Sequence, residues 1–258
     1  MLTIKLFFIF FMFAFGLIIG SFLNCLIWRL YKEETVLGRS YCPNCSKELK
    51  WYDNIPLLSF VILKGRCRFC DEKISWQYPL VELITGILFA LSYYLSLKHG
   101  FSFLELFFYL FIISLSVIIF VFDLRWYLIP VWTVIVGGLV VIALNLFFGA
   151  SILHLLISML IGAGFFGIQY LITRGKGIGE GDIWLGALFG AIFPDLKLLI
   201  LSIFLTYIIG GLVAAILLIF KVKKIGSQLP LGIFLSLSLV ICLFFGKEIV
   251  DWYFSLIF

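Results

Sequence analysis

Eight apolar runs constrain this chain more strongly than any other feature of its sequence. They cover residues 6–28, 79–97, 104–122, 131–148, 152–172, 183–193, 198–220 and 229–245. A helix needs roughly 20 apolar residues to cross a bilayer. The chain is 64% hydrophobic and 13% charged, and a soluble domain of this length could not bury so much apolar surface. We therefore predict an all-α polytopic membrane protein with about eight transmembrane helices.

One polar segment, between the first and second runs, is long enough to form an extramembrane domain. The predicted organisation is a first transmembrane span over residues 1–28, a polar segment over 29–78 and a transmembrane core over 79–258. If the polar segment is cytoplasmic, 15 of the 19 Lys and Arg residues lie on that side of the membrane. Because cytoplasmic loops retain positive charge, we expect a plasma (inner) membrane protein with its N-terminus outside.

The net charge of +5 does not indicate nucleic-acid binding. The basic residues follow the predicted topology and form no separate patch or stripe, which nucleic-acid binding would need. Membrane lipid is therefore an expected partner of this chain, and nucleic acid is not.

Four cysteines in the polar segment form two Cys-x-x-Cys pairs, Cys42 with Cys45 and Cys67 with Cys70. A two-residue spacer lets the backbone turn and aim both sulfurs at one ion, so two pairs can supply a tetrahedral zinc site. Four sulfur ligands leave no open coordination position, and the predicted zinc is therefore structural. Two disulfides are the alternative, but they need an oxidising compartment, whereas the segment is expected in the cytoplasm.

Two aspartates border apolar runs, where ionisable side chains are costly and are candidates for function. Asp123 ends the third run, and the short apolar link after it keeps it close to the hydrocarbon boundary. Asp182 precedes a run, residues 183–193, that has about half the length needed to cross. The glycine-rich stretch before Asp182 must supply the missing length, and its backbone must line a protein cavity because it cannot face lipid.

Both aspartates are predicted at cytoplasmic ends of spans. Two carboxyls in one dehydrated pocket cannot both ionise at low cost, so one stays protonated. Aspartic peptide hydrolysis uses such a pair, because the carboxylate takes a proton from water while the acid polarises the scissile carbonyl. Gly179 and Gly181 would let a substrate strand or a neighbouring backbone come close. The structural alternative is that Asp182 caps its helix and Asp123 pairs with Arg125 or another cationic neighbour.

Six short motifs occur in order along the chain. They are Gly20-Ser21-Phe22-Leu23-Asn24 with Trp28-Arg29, the two cysteine pairs, Tyr78-Pro79-Leu80-Val81-Glu82-Leu83, Asp123 with Ile129-Pro130, Gly179-Glu180-Gly181-Asp182, and Pro230-Leu231-Gly232. Together they span nearly the whole sequence. In this order they resemble the type IV prepilin peptidases, membrane aspartic proteases of the GxGD class.

The resemblance implies an aspartic endopeptidase that removes the short basic leader of type IV prepilin-like precursors at the cytoplasmic face. Methylation of the new N-terminus from S-adenosylmethionine would follow. The catalytic aspartates of the family correspond to Asp123 and Asp182, and its zinc segment corresponds to the cysteine pairs. The chain departs from the family at Trp184, where members commonly carry Lys, so a local charge partner is missing there. No residues are assigned to the methyltransferase reaction.

Glu82 has two possible roles. It lies in the first turn of its predicted helix, three residues after Pro79, and the helix dipole favours negative charge there. A structural role therefore stands beside a role in the substrate or methyl-donor site.

Two other classes of protein compete with the protease. A transporter with a broken-helix acidic site also keeps acids within the membrane, although here they lie at the inner edge and no inverted repeat is evident. A membrane-anchored zinc adaptor would keep the aspartates for structure alone. Asp123→Asn and Asp182→Asn would stop precursor processing only in the protease.

Overall fold

The structure is a computed structural model that describes residues 2–224 and 227–256. Nine α-helices occur in these two ranges: α1 (Leu2–Lys32), α2 (Leu58–Ile62), α3 (Gln77–His99), α4 (Phe103–Trp126), α5 (Val131–Phe147), α6 (Ile152–Thr173), α7 (Glu180–Ile192), α8 (Leu196–Ile219) and α9 (Leu231–Ser255). A 3₁₀ turn covers Trp51–Asn54. The β structure of the described residues is limited to two isolated bridges. The predicted all-α class is therefore confirmed.

Each of the eight apolar runs forms one helix. Six helices are long and apolar enough to cross a membrane, namely α1, α3, α4, α6, α8 and α9. The other two are shorter: α5 has 17 residues and α7 has 13. Several helices continue past the end of the apolar run, because backbone hydrogen bonding does not stop where hydropathy falls. The polytopic membrane architecture is confirmed by these helices.

The chain divides into two compact units, Met1–Ile118 and Ile119–Phe258, with the boundary inside α4. In the first unit, α1 packs along α3 through glycines. A Cβ on Gly16 would lie 2.8 Å from the Cα of Gly86, and a Cβ on Gly20 would lie 2.7 Å from the Cα of Glu82. Glycine at these positions lets the two backbones approach closely.

Arg29 fixes the chain as it leaves α1. Its side chain is buried, and its guanidinium donates hydrogen bonds to the carbonyls of Thr35 (3.3 Å), Val36 (2.7 Å) and Arg39 (2.9 Å). Burying a charge is costly unless it is hydrogen-bonded, and these three acceptors meet that need. The polar segment therefore starts from a fixed point at the end of α1.

In the second unit, α7 is enclosed by its neighbours, with eight of its 13 residues buried. Gly186 faces the backbone of Gly162 on α6, and Gly190 faces the backbone of Ser158 on the same helix, so closely that any Cβ would overlap with it. On another side, the Asn145 amide of α5 donates a hydrogen bond to the Ala191 carbonyl at 2.8 Å. These contacts hold α7 in one position along its length.

Candidate active site and metal centre

Asp123 lies in the last turns of α4 and is held by the start of α9. Asp123 is only 5% exposed. Its Oδ2 accepts a hydrogen bond from the Ile233 N–H at 3.1 Å. The N–H groups in the first turn of a helix have no partner within the helix and carry the positive end of its dipole. The N-terminus of α9 therefore provides a site suited to a carboxylate.

Asp182 lies in the first turn of α7 and is 7% exposed. Its Oδ2 accepts a hydrogen bond from the Gly179 N–H at 2.9 Å, which is the capping interaction considered as the structural alternative. The cap uses one oxygen only. Among the described residues, Oδ1 of Asp182 has no hydrogen-bond partner, so capping and chemistry are compatible at this residue.

The other part of the structural alternative, a pair between Asp123 and Arg125, is not found. The Arg125 guanidinium lies over the Trp126 ring, 5.1 Å from its centroid. Within residues 2–224 and 227–256, no Lys or Arg nitrogen lies within 4.0 Å of the Asp123 carboxylate. Asp123 is therefore stabilised by backbone N–H groups and not by a cation.

Ile129 connects the surroundings of the two aspartates. A Cβ on Gly181, next to Asp182, would lie 2.7 Å from the Ile129 Cβ. A Cβ on Gly232 would lie 3.0 Å from the Ile129 Cδ1 and 2.8 Å from the Asp123 Oδ2. The structure thus brings Asp123 and Asp182 to the same end of the second unit.

The residues beside Asp182 differ in how tightly they are packed. Gly181 has no room for a side chain against Ile129, whereas a Cβ on Gly179 would meet the Asp182 Oδ2 at an ordinary 3.6 Å. The Gly179 N–H donates a hydrogen bond to the Asp182 carboxylate, and the lack of a side chain at Gly181 leaves room for Ile129. Trp184 is 43% exposed on α7.

Three residues of this site had no role assigned from the sequence: Ile129, Gly232 and Ile233. A signal was present in Pro230-Leu231-Gly232, because proline commonly precedes or opens a helix whose first N–H groups are free. The same end of the unit carries a further link, in which the Lys223 Nζ donates to the Tyr127 hydroxyl at 3.3 Å and to the Gln228 carbonyl at 2.7 Å. The segments that follow α4 and α8 therefore contact each other near the end of the second unit where the two aspartates lie.

The four cysteines of the polar segment form one cluster in the first unit. Their Sγ atoms all lie within 4.8 Å of one another, and those of Cys42 and Cys70 are 3.9 Å apart. A disulfide would bring two sulfurs to about 2.05 Å, and all four cysteines are free. Zinc at about 2.3 Å from each sulfur would separate the sulfurs by roughly 3.8 Å. The donor set and its spacing fit a tetrahedral metal ion, and the disulfide alternative is wrong for this structure.

The two cysteine pairs have the same local backbone. In each pair, the N–H of the first cysteine donates a hydrogen bond to the carbonyl of the residue five positions after it. The residue four positions after the first cysteine has a positive φ, and its N–H donates a hydrogen bond to the carbonyl of that cysteine. The positive φ residues are Ser46 (55°) and Asp71 (58°). This turn aims both sulfurs of a pair in one direction, so the metal site is built from two similar knuckles.

Electrostatic surroundings differ between the thiols. Burial raises the pKa of Cys67, whereas a hydrogen bond from the Glu72 backbone N–H lowers the pKa of Cys70 to about 7. A metal binds the thiolate and not the thiol. Cys70 therefore reaches the binding form near neutral pH.

An ion pair between exposed Arg68 and buried Asp53 supports the second knuckle. The Arg68 Nε and Nη2 both donate to the Asp53 Oδ1, at 2.9 and 2.8 Å, and the Lys50 N–H donates to the Asp53 Oδ2 at 3.2 Å. Because Arg68 lies between Cys67 and Cys70, this pair fastens the knuckle to the 3₁₀ turn that contains Asp53. Metal-site geometry depends on such neighbouring contacts.

Glu82 lies in the first unit, on α3, and the prediction that it belongs to the first turn is wrong, because the helix begins at Gln77 and Glu82 falls in the second turn. Its residue is buried, and its Oε2 accepts a hydrogen bond from the Leu57 N–H at 2.9 Å. Leu57 has a φ of 60°, a conformation that costs energy for a branched side chain. The Glu82 carboxylate therefore helps to hold the strained turn before α2, which is a structural role.

Six helices of spanning length define a multi-pass membrane protein, and two buried aspartates lie at one end of its second unit. Residues 14–96 match the Bacterial Peptidase A24 N-terminal domain, and residues 110–215 match the Type IV leader peptidase family. With the relatives described next, these matches show that the chain belongs to the Type IV leader peptidase family.

Three similar proteins bear the name "Prepilin leader peptidase/N-methyltransferase". The protein from Legionella pneumophila is 32% identical, over 93% of this chain and 92% of its own length. The one from Bacillus subtilis is 33% identical, over 94% of this chain and 96% of its own length. The one from Pseudomonas aeruginosa is 30% identical, over 92% and 90%. No solved structure matches the chain.

Proposed function

We propose that this chain is a membrane-embedded aspartic endopeptidase that removes the short basic leader of type IV prepilin-like precursors at the cytoplasmic face. The names of the relatives support the substrate class. The single observation that carries the aspartic mechanism is that Asp123 and Asp182, two buried aspartates on different helices, both lie beside glycines that pack against Ile129.

In the proposed reaction, one carboxylate takes a proton from a water molecule while the other, protonated, donates a hydrogen bond to the scissile carbonyl oxygen. Water attacks the carbonyl carbon, and the leaving amine then receives a proton. A backbone N–H fixes the Oδ2 of each aspartate, from Ile233 for Asp123 and from Gly179 for Asp182. These bonds orient both carboxyls before substrate arrives, which lowers the cost of reaching the transition state.

The proposed topology has the N-terminus outside and both the polar segment and the aspartates on the cytoplasmic side of the plasma (inner) membrane. The distribution of Lys and Arg supports it, with 15 of 19 on that side. A prepilin-like precursor would present an apolar helix in the bilayer and a basic leader at its inner surface. Aspartates at the inner boundary would meet the junction between the two.

We further propose that Cys42, Cys45, Cys67 and Cys70 hold a structural zinc ion that folds the segment over residues 29–78, and that residues 79–258 form the transmembrane protease core. The sulfur spacing supports the metal. Small polar segments often cannot build a core of their own, so metal binding supplies folding free energy.

N-methylation of the new N-terminus is the second proposed activity, and it rests on the relatives' name. S-adenosylmethionine is the proposed methyl donor, and it carries a sulfonium cation. Glu82, a buried carboxylate, has the charge to favour such a cation, so we propose it as support for the donor or substrate site. Gly179 and Gly181 are the proposed support for the substrate beside Asp182.

The test is co-expression with a prepilin-like precursor, followed by intact mass of the product, which reports the cleavage position and methyl addition together. We expect Asp123→Asn and Asp182→Asn each to leave full-length precursor. Asp251→Asn, an exposed aspartate on α9, is the matched control and should leave processing intact. Normal processing in both Asn variants would overturn the aspartic assignment and favour a zinc adaptor, and loss of solute uptake with normal processing would favour a transporter.

A further inference from the structure

A cavity of about 760 Å³ lies in the first unit, between α2, the second cysteine knuckle and the start of α3. One wall is apolar and is built from Val61, Trp76, Leu80 and Leu83. Val61 is 71% exposed and Trp76 is 69% exposed. Apolar side chains exposed side by side mark a surface that binds something apolar.

One part of the cavity's rim is cationic. Lys64, Arg66 and Lys73 all line it. Arg66 is paired with Asp71, with 2.7 Å between the Arg66 Nη1 and the Asp71 Oδ2. Lys64 and Lys73 are exposed, and among the described residues neither has a carboxylate oxygen within 4.0 Å. Two lysine charges on this rim therefore lack an internal counter-ion.

The cavity is lined in part by the start of α3. Leu80 and Leu83 belong to the first two turns of α3, a helix of spanning length and composition. Trp76 immediately precedes α3, and tryptophan is enriched at the boundary between headgroups and hydrocarbon. The apolar wall thus includes the first residues of a helix that is long and apolar enough to cross a membrane, while Lys64 and Lys73 belong to the polar segment that carries the second knuckle.

We propose that this cavity binds an anionic phospholipid, with an acyl chain along Val61, Leu80 and Leu83 and the headgroup phosphate between Lys64 and Lys73. Charge complementarity selects this occupant. A soluble phosphate would leave the apolar wall exposed, a zwitterionic lipid would bring its own cation beside the lysines, and a basic peptide would be repelled by them. The site contains none of the proposed catalytic residues, so it stands or falls independently of the peptidase assignment.

The test measures contact between lipid and Trp76 in the full chain, reconstituted in nanodiscs. Phosphatidylglycerol with a brominated acyl chain is compared with brominated phosphatidylcholine, because bromine quenches tryptophan fluorescence on contact. A Trp76→Phe protein supplies the signal of the other tryptophans for subtraction. We expect half-maximal quenching of Trp76 at a mole fraction of brominated phosphatidylglycerol that is on the order of tenfold lower than the mole fraction of brominated phosphatidylcholine needed for the same effect.

The variants separate a built site from general attraction. Lys64→Gln with Lys73→Gln should remove the preference for the anionic lipid, and Lys64→Arg with Lys73→Arg should keep it. The control pair Lys47→Gln with Lys50→Gln removes the same charge from exposed positions of the same segment outside the cavity, and should also keep it. Circular dichroism and a single gel-filtration peak establish that each variant is folded.

Three results would overturn the proposal. Equal quenching of Trp76 by both lipids would mean ordinary bilayer contact. Loss of the preference in the Lys47 and Lys50 control pair would mean attraction by the overall charge. Loss of the preference on adding inorganic phosphate, but not on adding chloride at equal ionic strength, would mean a site for a soluble anion.

Discussion

Gly181 lies so close to Ile129 that a Cβ on Gly181 would be 2.7 Å from the Ile129 Cβ. Real Cβ atoms do not approach each other at this distance, so the space beside Asp182 exists only because residue 181 has no side chain. Ile129 also lies against Gly232, beside the Asp123 carboxylate. One isoleucine and two glycines therefore set the spacing around both aspartates.

Gly181→Ala should lower precursor cleavage by roughly 100-fold, because displacing a catalytic group by about 1 Å has an effect of this size. Initial rates on a purified precursor measure it. The control is Gly164→Ala on α6, where an added Cβ would meet nothing within 4 Å, and its rate should stay near that of the unaltered protein. A Gly181→Ala protein with an unaltered rate would mean that Ile129 can move without disturbing Asp182.

Gly232→Ala tests the surroundings of Asp123. An added Cβ would lie 2.8 Å from the Asp123 Oδ2 and should push the carboxylate away from the Ile233 N–H. We expect a loss of cleavage of the same order as for Gly181→Ala, roughly 100-fold, in the same assay. Gly211→Ala on α8, which has open space around it, should cleave normally. An active Gly232→Ala protein would argue against the α9 N-terminus as a support for catalysis.

Cys42→Ser and Cys67→Ser should each lose the metal ion, because a zinc site built from four sulfurs does not survive the loss of one at full affinity. Metal analysis of the purified protein should find about one zinc per chain before substitution and much less afterwards. Cys25→Ser removes a thiol outside the cluster and should keep the zinc. Full zinc content in both cluster variants would refute the four-sulfur site.

Gly190→Ala should destabilise the second unit, because the added Cβ would overlap with the Ser158 backbone. Overpacking of this kind costs roughly 1–3 kcal/mol. Thermal unfolding in nanodiscs measures the change as a lower Tm. Gly167→Ala, whose Cβ would meet nothing within 4 Å, should instead raise the stability slightly, by about 0.5–1 kcal/mol. An unaltered Tm for Gly190→Ala would mean that α6 and α7 can separate at little cost.

Glu82→Gln separates the two roles of that residue. The amide oxygen can still accept the hydrogen bond from the Leu57 N–H, so the protein should fold with normal zinc content. If the carboxylate also supports the methyl donor, intact mass should show normal cleavage with reduced methyl addition. Methylation at the unaltered level would restrict Glu82 to its structural role at the Leu57 turn.

The helices and the cysteine cluster could be predicted because both depend on local sequence. An apolar run of sufficient length forms a helix in lipid wherever it occurs, and the spacing within each Cys-x-x-Cys pair already determines the turn that aims its sulfurs. The short α2 and the 3₁₀ turn were not predicted, since neither shows apolar periodicity. The Leu57 turn before α2 depends on a distant contact with Glu82.

The contacts of Asp123 could not be read from the sequence. Its partner Ile233 is 110 residues away along the chain, and no periodicity indicates which helix start will meet which helix end. The hydrogen bond of Asp182 could be predicted more easily, because its donor Gly179 lies only three residues before it in the sequence. The two interpretations of Asp182, as a cap and as a catalytic group, were treated as alternatives, but the cap bond occupies a single oxygen and leaves the other for chemistry.

The shortness of α7 has a consequence for the supply of water. A helix of 13 residues rises about 20 Å, whereas the hydrocarbon layer is about 30 Å thick. Residues 174–179 are not helical, so if α7 lies across the membrane this segment has to cover the missing length, and irregular backbone at that depth must line a protein or water-filled cavity. A hydrolase consumes one water per bond cut, and a helix shorter than the hydrocarbon layer leaves room for that water at a depth that a full-length span would keep dry.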